Sequence, residues 1–329
     1  MMPPLQSTTG LLTHYWLDAA SLLPPLLLDV QPGQAVLDMC AAPGGKSLVL
    51  AQLLLAGEHA AALALESSNA AADGTSSSER GSSGSSSSMR SRAAASASHH
   101  ADEAEEDAES AAFSGSLVCN ELDASRRGRL VQVLRDYVPV PARYRIRVTP
   151  HDGARFWGRH KAEQYDRVLL DAPCSSDRHV LQQAAARSGG HSSGNGSSSS
   201  CVVSRADWSL QRCRRIAAQQ VKLLAAAAQA LRPGGRLVYS TCSILDLEND
   251  QVVDKVLERG GGSLQVLHPP AAAAALDAAG AERTRHGWLL LPDSPLGCGP
   301  IYLAVLEKTA SSSFKRVKQN KYEAKRKAG

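Results

Sequence analysis

The chain has 329 residues, a formal net charge of +4 and seven cysteines. The cysteines are odd in number and scattered, with no CxxC pair. That pattern argues against a disulfide framework and a zinc site, and it points to a reducing compartment. No apolar run reaches the roughly 18 residues that cross a bilayer. The start, MMPPLQSTTG, has neither a signal-peptide core nor the Arg-rich character of a transit peptide.

In chain order, QAVLDMC is a short apolar run ending in Asp38 and Cys40. AAPGGKS follows, then the helix-favouring LVLAQLLLAGE, which together read as strand, Gly-rich turn and helix. Residues 67–115 are Ser, Ala, Gly and acid, and 184–200 are similar. Neither segment can bury enough apolar surface to offset its chain entropy, so both are expected to be disordered loops. Without them roughly 250 residues remain, a usual size for one α/β domain.

SLVCNELD reads as a strand and ASRRGRLVQVLRDYV as an amphipathic helix. IRVTPHDG is a third strand, and YDRVLLDAPC is a fourth with the continuous apolar core of a buried parallel strand. SLQRCRRIAAQQVKLLAAAAQAL is a long helix stopped by RPGG, RLVYSTCSI a fifth strand and ENDQVVDKVLER another helix. The end, GWLLLPDSPLGCGPIYLAVLEK, reads as two strands joined by a Gly/Pro loop. Alternating strands and helices predict a parallel sheet covered on both faces, with an antiparallel edge from the terminal pair.

Ligands of such sheets sit beyond the carboxyl ends of the strands. Asp38 and Cys40, Glu121, Asp152, Asp171 and Cys174, and Thr241 and Cys242 all fall there. CAAPGGKS is neither a phosphate loop nor a dinucleotide fingerprint, yet its glycines allow close backbone approach at a helix start. Glu121 is placed to grip a ribose diol, and Asp152 could receive an adenine amino group. A nucleoside cofactor with little phosphate fits this set, and S-adenosyl-L-methionine is the leading candidate. AALALE, ending in Glu66, competes as the second strand; SLVCNELD is preferred because it leads into a clear helix.

LDMCAAPGGKS, CNELDASRRGRL, HDGARFWG, VLLDAPCSSDRH, LRPGGRLVYSTCSI and the upstream YWLDAASLLPPLLLDVQPG resemble the Sun-type (Nop/Sun) RNA cytosine-5 methyltransferases. The likeness is greatest to the short organellar-type members that modify tRNA or ribosomal RNA. It runs from about residue 14 to 308, apart from the two insertions. The resemblance implies a Rossmann-like class I methyltransferase fold, with a mostly parallel seven-stranded sheet and an antiparallel edge strand. It implies that Cys40, Ala41, Ala42, Pro43, Gly44, Gly45, Lys46, Glu121, Arg126, Asp152 and Asp171 contact the cofactor, that Cys242 is the nucleophile and that Cys174 assists.

The chemistry explains a need for two thiols. C5 of cytosine is a poor nucleophile. A thiolate that adds at C6 makes C5 enamine-like and able to take a methyl from a sulfonium. Loss of the C5 proton and elimination of the thiol complete the reaction, and a second thiol can aid that release. A free thiol ionises near pH 8.5; Lys46 is the expected nearby cation, and Asp171 can hydrogen-bond the cytosine amino group and N3. By residue type alone the two cysteines could exchange roles, because DNA enzymes of this chemistry use a Pro-Cys cysteine. Their downstream Glu-Asn-Val element is not found here, and STC favours the RNA type.

The expected organisation is an N-terminal segment 1–32 packed on a methyltransferase domain 33–308, with a basic disordered tail 309–329. That tail, with seven Lys/Arg after residue 313, and the basic runs RADWSLQRCRR and ASRRGRL suit RNA phosphates. No metal and no membrane are expected. RNA, either tRNA or ribosomal RNA, is the expected partner, with a protein partner for specificity as an option and a monomer as the catalytic unit. The resemblance by itself favours a mitochondrial or other organellar location.

Overall fold

The computed structural model describes residues 3–55, 115–178 and 209–311. The first insertion up to residue 114, the second insertion, the tail beyond 311 and Glu66 lie outside the described residues. After a 3-10 turn at Ala19–Leu22 come α1 (Leu23–Leu27), β1 (Ala35–Asp38) and a helix α2 described over 45–55. Then follow β2 (Ser116–Asn120), α3 (Ala124–Tyr137), α4 (Val140–Arg143), β3 (Ile146–Thr149), α5 (Gly153–His160) and β4 (Tyr165–Asp171). The last part holds α6 (Leu210–Ala230), β5 (Leu231–Thr241), α7 (Asp250–Gly260), β6 (Leu264–Leu267), α8 (Pro270–Ala278), β7 (Glu282–Arg283), β8 (Trp288–Leu290) and β9 (Ile301–Lys308).

These strands form one sheet in the order β3-β2-β1-β4-β5-β9-β8-β7, with β6 also paired to β9. β1 to β5 are mutually parallel, so their carboxyl ends share one edge. β9 runs antiparallel to β5. Its first half pairs with β8 and its second half with β6. Among the described residues the sheet therefore has nine strands rather than the expected seven, and the antiparallel strand β9 is interior, not at the edge. β6 and β7 escape sequence reading because they are short and take their place from pairing with β9 and β8, and the Ala-rich α8 because it takes its place from packing on the sheet.

Side chains alternate between the faces, and two apolar layers result. Leu37, Val168, Leu170, Leu237 and Tyr239 pack with α6 and with Val252, Val253 and Val256 of α7. Val36, Leu117, Leu169 and Val238 pack on the other side with Leu50 and Leu54 of α2, Leu130 and Leu134 of α3, and Leu276 of α8. The helix starts are built locally: Asp123, Asp152 and Ser209 each accept a backbone N–H of the first turn of α3, α5 and α6. β5 leaves β4 between Leu231 and Arg236, where the RPGG run loops out and Gly234 takes φ +76°.

The N-terminal segment lies on this framework. The Leu12 N–H donates to the Asp136 carbonyl at 2.8 Å, and the Tyr15 ring meets Tyr137 edge-on at 5.2 Å. Ala20, Leu27, Leu28 and Val30 complete the second apolar layer. Tyr15 and Leu17 close over Gly45 so tightly that a Cβ there would stand 2.7 Å from Leu17 Cδ1.

Asn120 locks three strand ends together. Its amide donates to the Met39 carbonyl at 3.1 Å and the His151 carbonyl at 3.0 Å. Its oxygen accepts from the Thr149 hydroxyl and the His151 N–H, both at 2.9 Å. The residue is buried, so Asn120→Ala strands several of these groups and should cost about 2–4 kcal/mol of stability. Denaturant unfolding measures this, and a cost under about 0.5 kcal/mol would mean that water replaces the amide.

Candidate active site at the strand ends

Between β1 and α2 the turn 40–46 wraps the carboxyl end of the sheet. Gly44 takes φ +120°, with Val133 and Leu130 where a side chain would go. The Ala41 N–H donates to the Asn120 carbonyl at 2.9 Å. Arg126 reaches from α3 to the Ala42 carbonyl at 3.1 Å, and the same Nη2 stands 3.3 Å from Glu121 Oε2. Glu121 is buried just past β2, and its other oxygen accepts the Asp123 N–H at 2.9 Å. The described residues thus place Glu121 beside the Gly-rich turn, as expected from SLVCNELD. Asp152 stands past β3 as the cap of α5, half-exposed, with Oδ2 3.4 Å from Arg155.

Asp38, at the end of β1, is buried, and its Oδ2 accepts the Ser47 hydroxyl at 2.7 Å. Oδ1 is buried with no hydrogen-bond partner. Burial pushes this carboxyl up to about 7, against the Ser47 hydrogen bond and helped by the nearby Asp171 charge. Sequence reading marked Asp38 only as a strand-end acid. Its unpaired oxygen depends on packing that no local pattern encodes.

Asp171 ends β4 and is used on both oxygens. Lys46 Nζ stands 2.7 Å from Oδ2, and the Ser240 hydroxyl donates to Oδ1 at 2.7 Å. Lys46, expected as the cation near the thiol, is ion-paired in the structure with Asp171, whose own charge stands near Cys242.

The two thiols do meet. Asp171 pairs with Ser240 across β4 and β5, and three residues on from one and two from the other Cys174 Sγ and Cys242 Sγ stand 2.8 Å apart. The Cys242 N–H also points at Cys174 Sγ, at 3.3 Å. Hydrogen bonding from Cys174 holds the Cys242 thiol below its ordinary range, against burial and the Asp171 charge, with Arg178 adding to the lowering. Cys174 is pushed up by giving that bond and by burial. Burial also raises Cys40, Cys119, Cys213 and Cys298. Among the described cysteines Cys242 alone is shifted toward the thiolate. Cys40 supplies backbone to the turn and a buried neutral thiol.

The loop after β4 is held by buried acids that sequence reading missed. Glu248 Oε2 accepts the Ser175 N–H at 2.9 Å and the Gln220 amide at 3.1 Å. That amide also donates to the Pro173 carbonyl at 2.9 Å. Asp177 Oδ2 accepts the Ser243 hydroxyl at 3.0 Å and the Ile244 N–H at 2.9 Å. Thr241 bonds Asn249 at 2.6 Å, which returns to the Ser243 carbonyl at 2.9 Å. Only the clustering of polar residues in DAPCSSD and STCSILDLEND hinted at this network; the partner in α6 is remote in sequence.

The strand order and the carboxylates at the strand ends define a class I methyltransferase fold, and the comparisons agree. A family profile described as 16S rRNA methyltransferase RsmB/F matches residues 199–281. The chain is 35% identical over 264 residues to the 5-cytosine rRNA methyltransferase NSUN4 of Bos taurus, covering 78% of this chain and 48% of that protein. It is 30% identical over 324 residues to the mitochondrial tRNA (cytosine(34)-C(5))-methyltransferase of Mus musculus, covering 94% and 68%. Among solved structures, NSun6 from Pyrococcus horikoshii has a TM-score of 0.54 at 18% identity over 90% of this chain and 53% of that one. That likeness shows the fold. The chain belongs to the Sun-type family of RNA cytosine-5 methyltransferases. It spans about half the length of the NSUN4 relatives it matches.

Asp38 also makes a pH test of this site without ligand. Its ordinary value is 3.8 and its folded value about 7, so between these the folded chain holds a proton that the unfolded chain has lost. Stability from this group is full below about pH 4 and falls as pH rises through about 7. Asp38→Asn should flatten that part of the stability–pH curve, measured by urea unfolding across pH. An unchanged slope would mean that Asp38 is already ionised in the folded protein.

Proposed function

We propose that this protein methylates C5 of cytosine in RNA with S-adenosyl-L-methionine, through a covalent Cys242–C6 adduct. The observation that carries the reading is the pair of thiols 2.8 Å apart at the ends of β4 and β5, with Cys242 the one favoured as thiolate. The strand ends fit the cofactor. An unpartnered Asp38 oxygen, a turn with Gly44 at φ +120°, and the carboxylates Glu121, Asp152 and Asp171 suit a molecule with a cationic amino acid end, a ribose diol and an adenine. Glu121 would hold the ribose, Asp152 the adenine amino group, the turn Cys40–Lys46 the amino acid end, and Arg126 would brace the turn through Ala42. When bound, S-adenosyl-L-methionine supplies an electrophilic methyl on a sulfonium.

The chain's own groups do the rest. Cys242 Sγ gives its electron pair to C6, and the 5,6 bond electrons move to C5. Asp171, on lone pairs left free by Lys46 and Ser240, receives the cytosine amino group and favours protonation at N3. Once C5 is substituted, a water molecule acting as base takes the C5 proton, the C–H electron pair restores the 5,6 double bond, and the C6–S bond breaks to release the Cys242 thiolate. Cys174, already in contact with that sulfur, stabilises the departing thiolate through its S–H. The base must leave its stack to reach Cys242, so loops and bulges are the preferred targets.

The names of the relatives support ribosomal or transfer RNA as the substrate, and the mouse relative's name supports a mitochondrial location. Residues 1–32 pack on a single catalytic domain, 33–308, that works as a monomer, and a protein partner can add RNA specificity. Bisulfite sequencing of total RNA with and without the gene would show the site, and loss of no 5-methylcytosine in either RNA class would remove the reading.

Substitutions separate the roles. Cys242→Ala should abolish transfer of labelled methyl to RNA while leaving cofactor affinity within about twofold, because the thiol faces the base; turnover by this variant would sink the assignment. Cys174→Ala should allow attack but slow release, so a protein–RNA adduct that survives denaturing electrophoresis should accumulate and depend on Cys242. Glu121→Ala should weaken cofactor binding by about 1–3 kcal/mol in calorimetry, the cost of losing a buried hydrogen-bond partner. An unchanged affinity would take the ribose from Glu121.

A further inference from the structure

Arg178 lies four residues after Cys174, and its own N–H donates to the Cys242 carbonyl at 3.4 Å. Its guanidinium reaches the other way. Nε and Nη2 donate to the Pro300 carbonyl at 3.3 and 3.1 Å, Nη1 donates to the Ser21 hydroxyl at 3.2 Å, and Asp18 Oδ1 stands 3.8 Å from the same nitrogen. The side chain is 16% exposed. One arginine thus ties the loop of Cys174, the backbone of Cys242, the loop between β8 and β9, and the turn at Ala19–Leu22.

This much hydrogen bonding fixes where a permanent charge sits. A charge so largely withdrawn from solvent acts with little salt screening. The charged and titratable groups that bear on Cys242 are Cys174, Asp171, Asp177 and Arg178. Two of these are acids that oppose its ionisation, and Lys46 is committed to Asp171. Cys298, in the loop between β8 and β9, feels the same Asp18 and Arg178. After the Cys174 hydrogen bond, Arg178, whose main chain already contacts that of Cys242, is the group that favours its ionisation. Nothing else in the loop supplies positive charge to it among the described residues.

We propose that Arg178 is a positioning residue for the reaction: clamped by Asp18, Ser21 and Pro300, it supplies the fixed positive charge that readies Cys242, and it makes the N-terminal segment part of the catalytic apparatus. This rests on Cys242 being the nucleophile. A purely structural clamp would hold the same hydrogen bonds but would leave thiol reactivity untouched when its charge alone is changed.

The test is alkylation of the full chain by iodoacetamide across pH, without RNA or cofactor, with Cys242 and Cys174 followed separately by peptide mass spectrometry. Arg178→Gln should raise the pH midpoint at Cys242 by about one unit, so that below the midpoint alkylation runs about tenfold slower. Asp18→Asn should move it the other way, by a smaller shift, because the carboxylate no longer offsets the guanidinium while asparagine still caps the turn at Ala20. Cofactor affinity unchanged in both variants certifies the fold. Shifts of opposite sign support the proposal; midpoints that stay put, or move together, overturn it. Should Arg178→Gln fail to fold, the direction of the Asp18→Asn shift decides alone. Failure of the nucleophile assignment itself would show separately, as methyl transfer by Cys242→Ala.

Discussion

Parallel pairing of β4 with β5 is the constraint on which the site depends. The ladder runs in step from Arg167 and Arg236 to Asp171 and Ser240. Side chains in a strand alternate faces, so a slip of one residue would turn Asp171 away from Ser240 and send the following loops in different directions. With the register fixed, two cysteines 68 residues apart leave their strands side by side, and their sulfurs meet at 2.8 Å. The pairing is itself fixed by apolar burial. Leu169 and Val238 face one layer, and Val168, Leu170, Leu237 and Tyr239 the other, and all are fully buried.

Beyond the strand ends, order has to come from polar contacts. The segments that carry Cys174 and Cys242 have no ladder of their own, and buried carboxylates take its place. Glu248 and Asp177 accept backbone N–H groups of Ser175 and Ile244, so each holds a loop by its main chain rather than by a side chain that could swing. A buried charged oxygen is costly unless such donors face it. The arrangement is thereby selective: a loop that moves leaves an acid unpaired. Tyr239, under the thiols, closes the network by donating to the Glu248 carbonyl at 2.6 Å.

Electrostatics divides the crevice into two regions. On the side of β1, β2 and β3 the acids Asp38, Glu121 and Asp152 crowd together, and burial raises Asp38. Glu121 and Asp152 each have an arginine beside them, Arg126 and Arg155, while Asp38 Oδ1 is left without a partner. On the side of β4 and β5 each acid is already answered, Asp171 by Lys46 and Ser240, Asp177 by Ser175, Ser243 and Ile244. Arg178 then offsets what remains near Cys242. The N-terminal segment touches both regions, at Gly45 through Tyr15 and Leu17 and at Arg178 through Asp18 and Ser21.

The order of strands and helices, the Gly-rich turn, the acids past β1 to β4 and the two thiols could all be read in the sequence, because each is written locally. Apolar runs of strand length end in a polar residue, and helices open on a capping Asp or Ser. The sequence likewise placed Glu121 just past the second strand, from the helix that follows it. Tertiary structure decided what distance along the chain conceals. It gave Lys46 to Asp171, drew Glu248 and Gln220 beneath the Cys174 loop, set Arg178 between the N-terminal segment and Cys242, and placed β9 inside the sheet with β6, β7 and β8 around it. Local patterns carry information about backbone conformation and about which face is apolar. Which charge answers which is fixed only when packing brings remote residues within a few ångströms, and there the nearest partner wins.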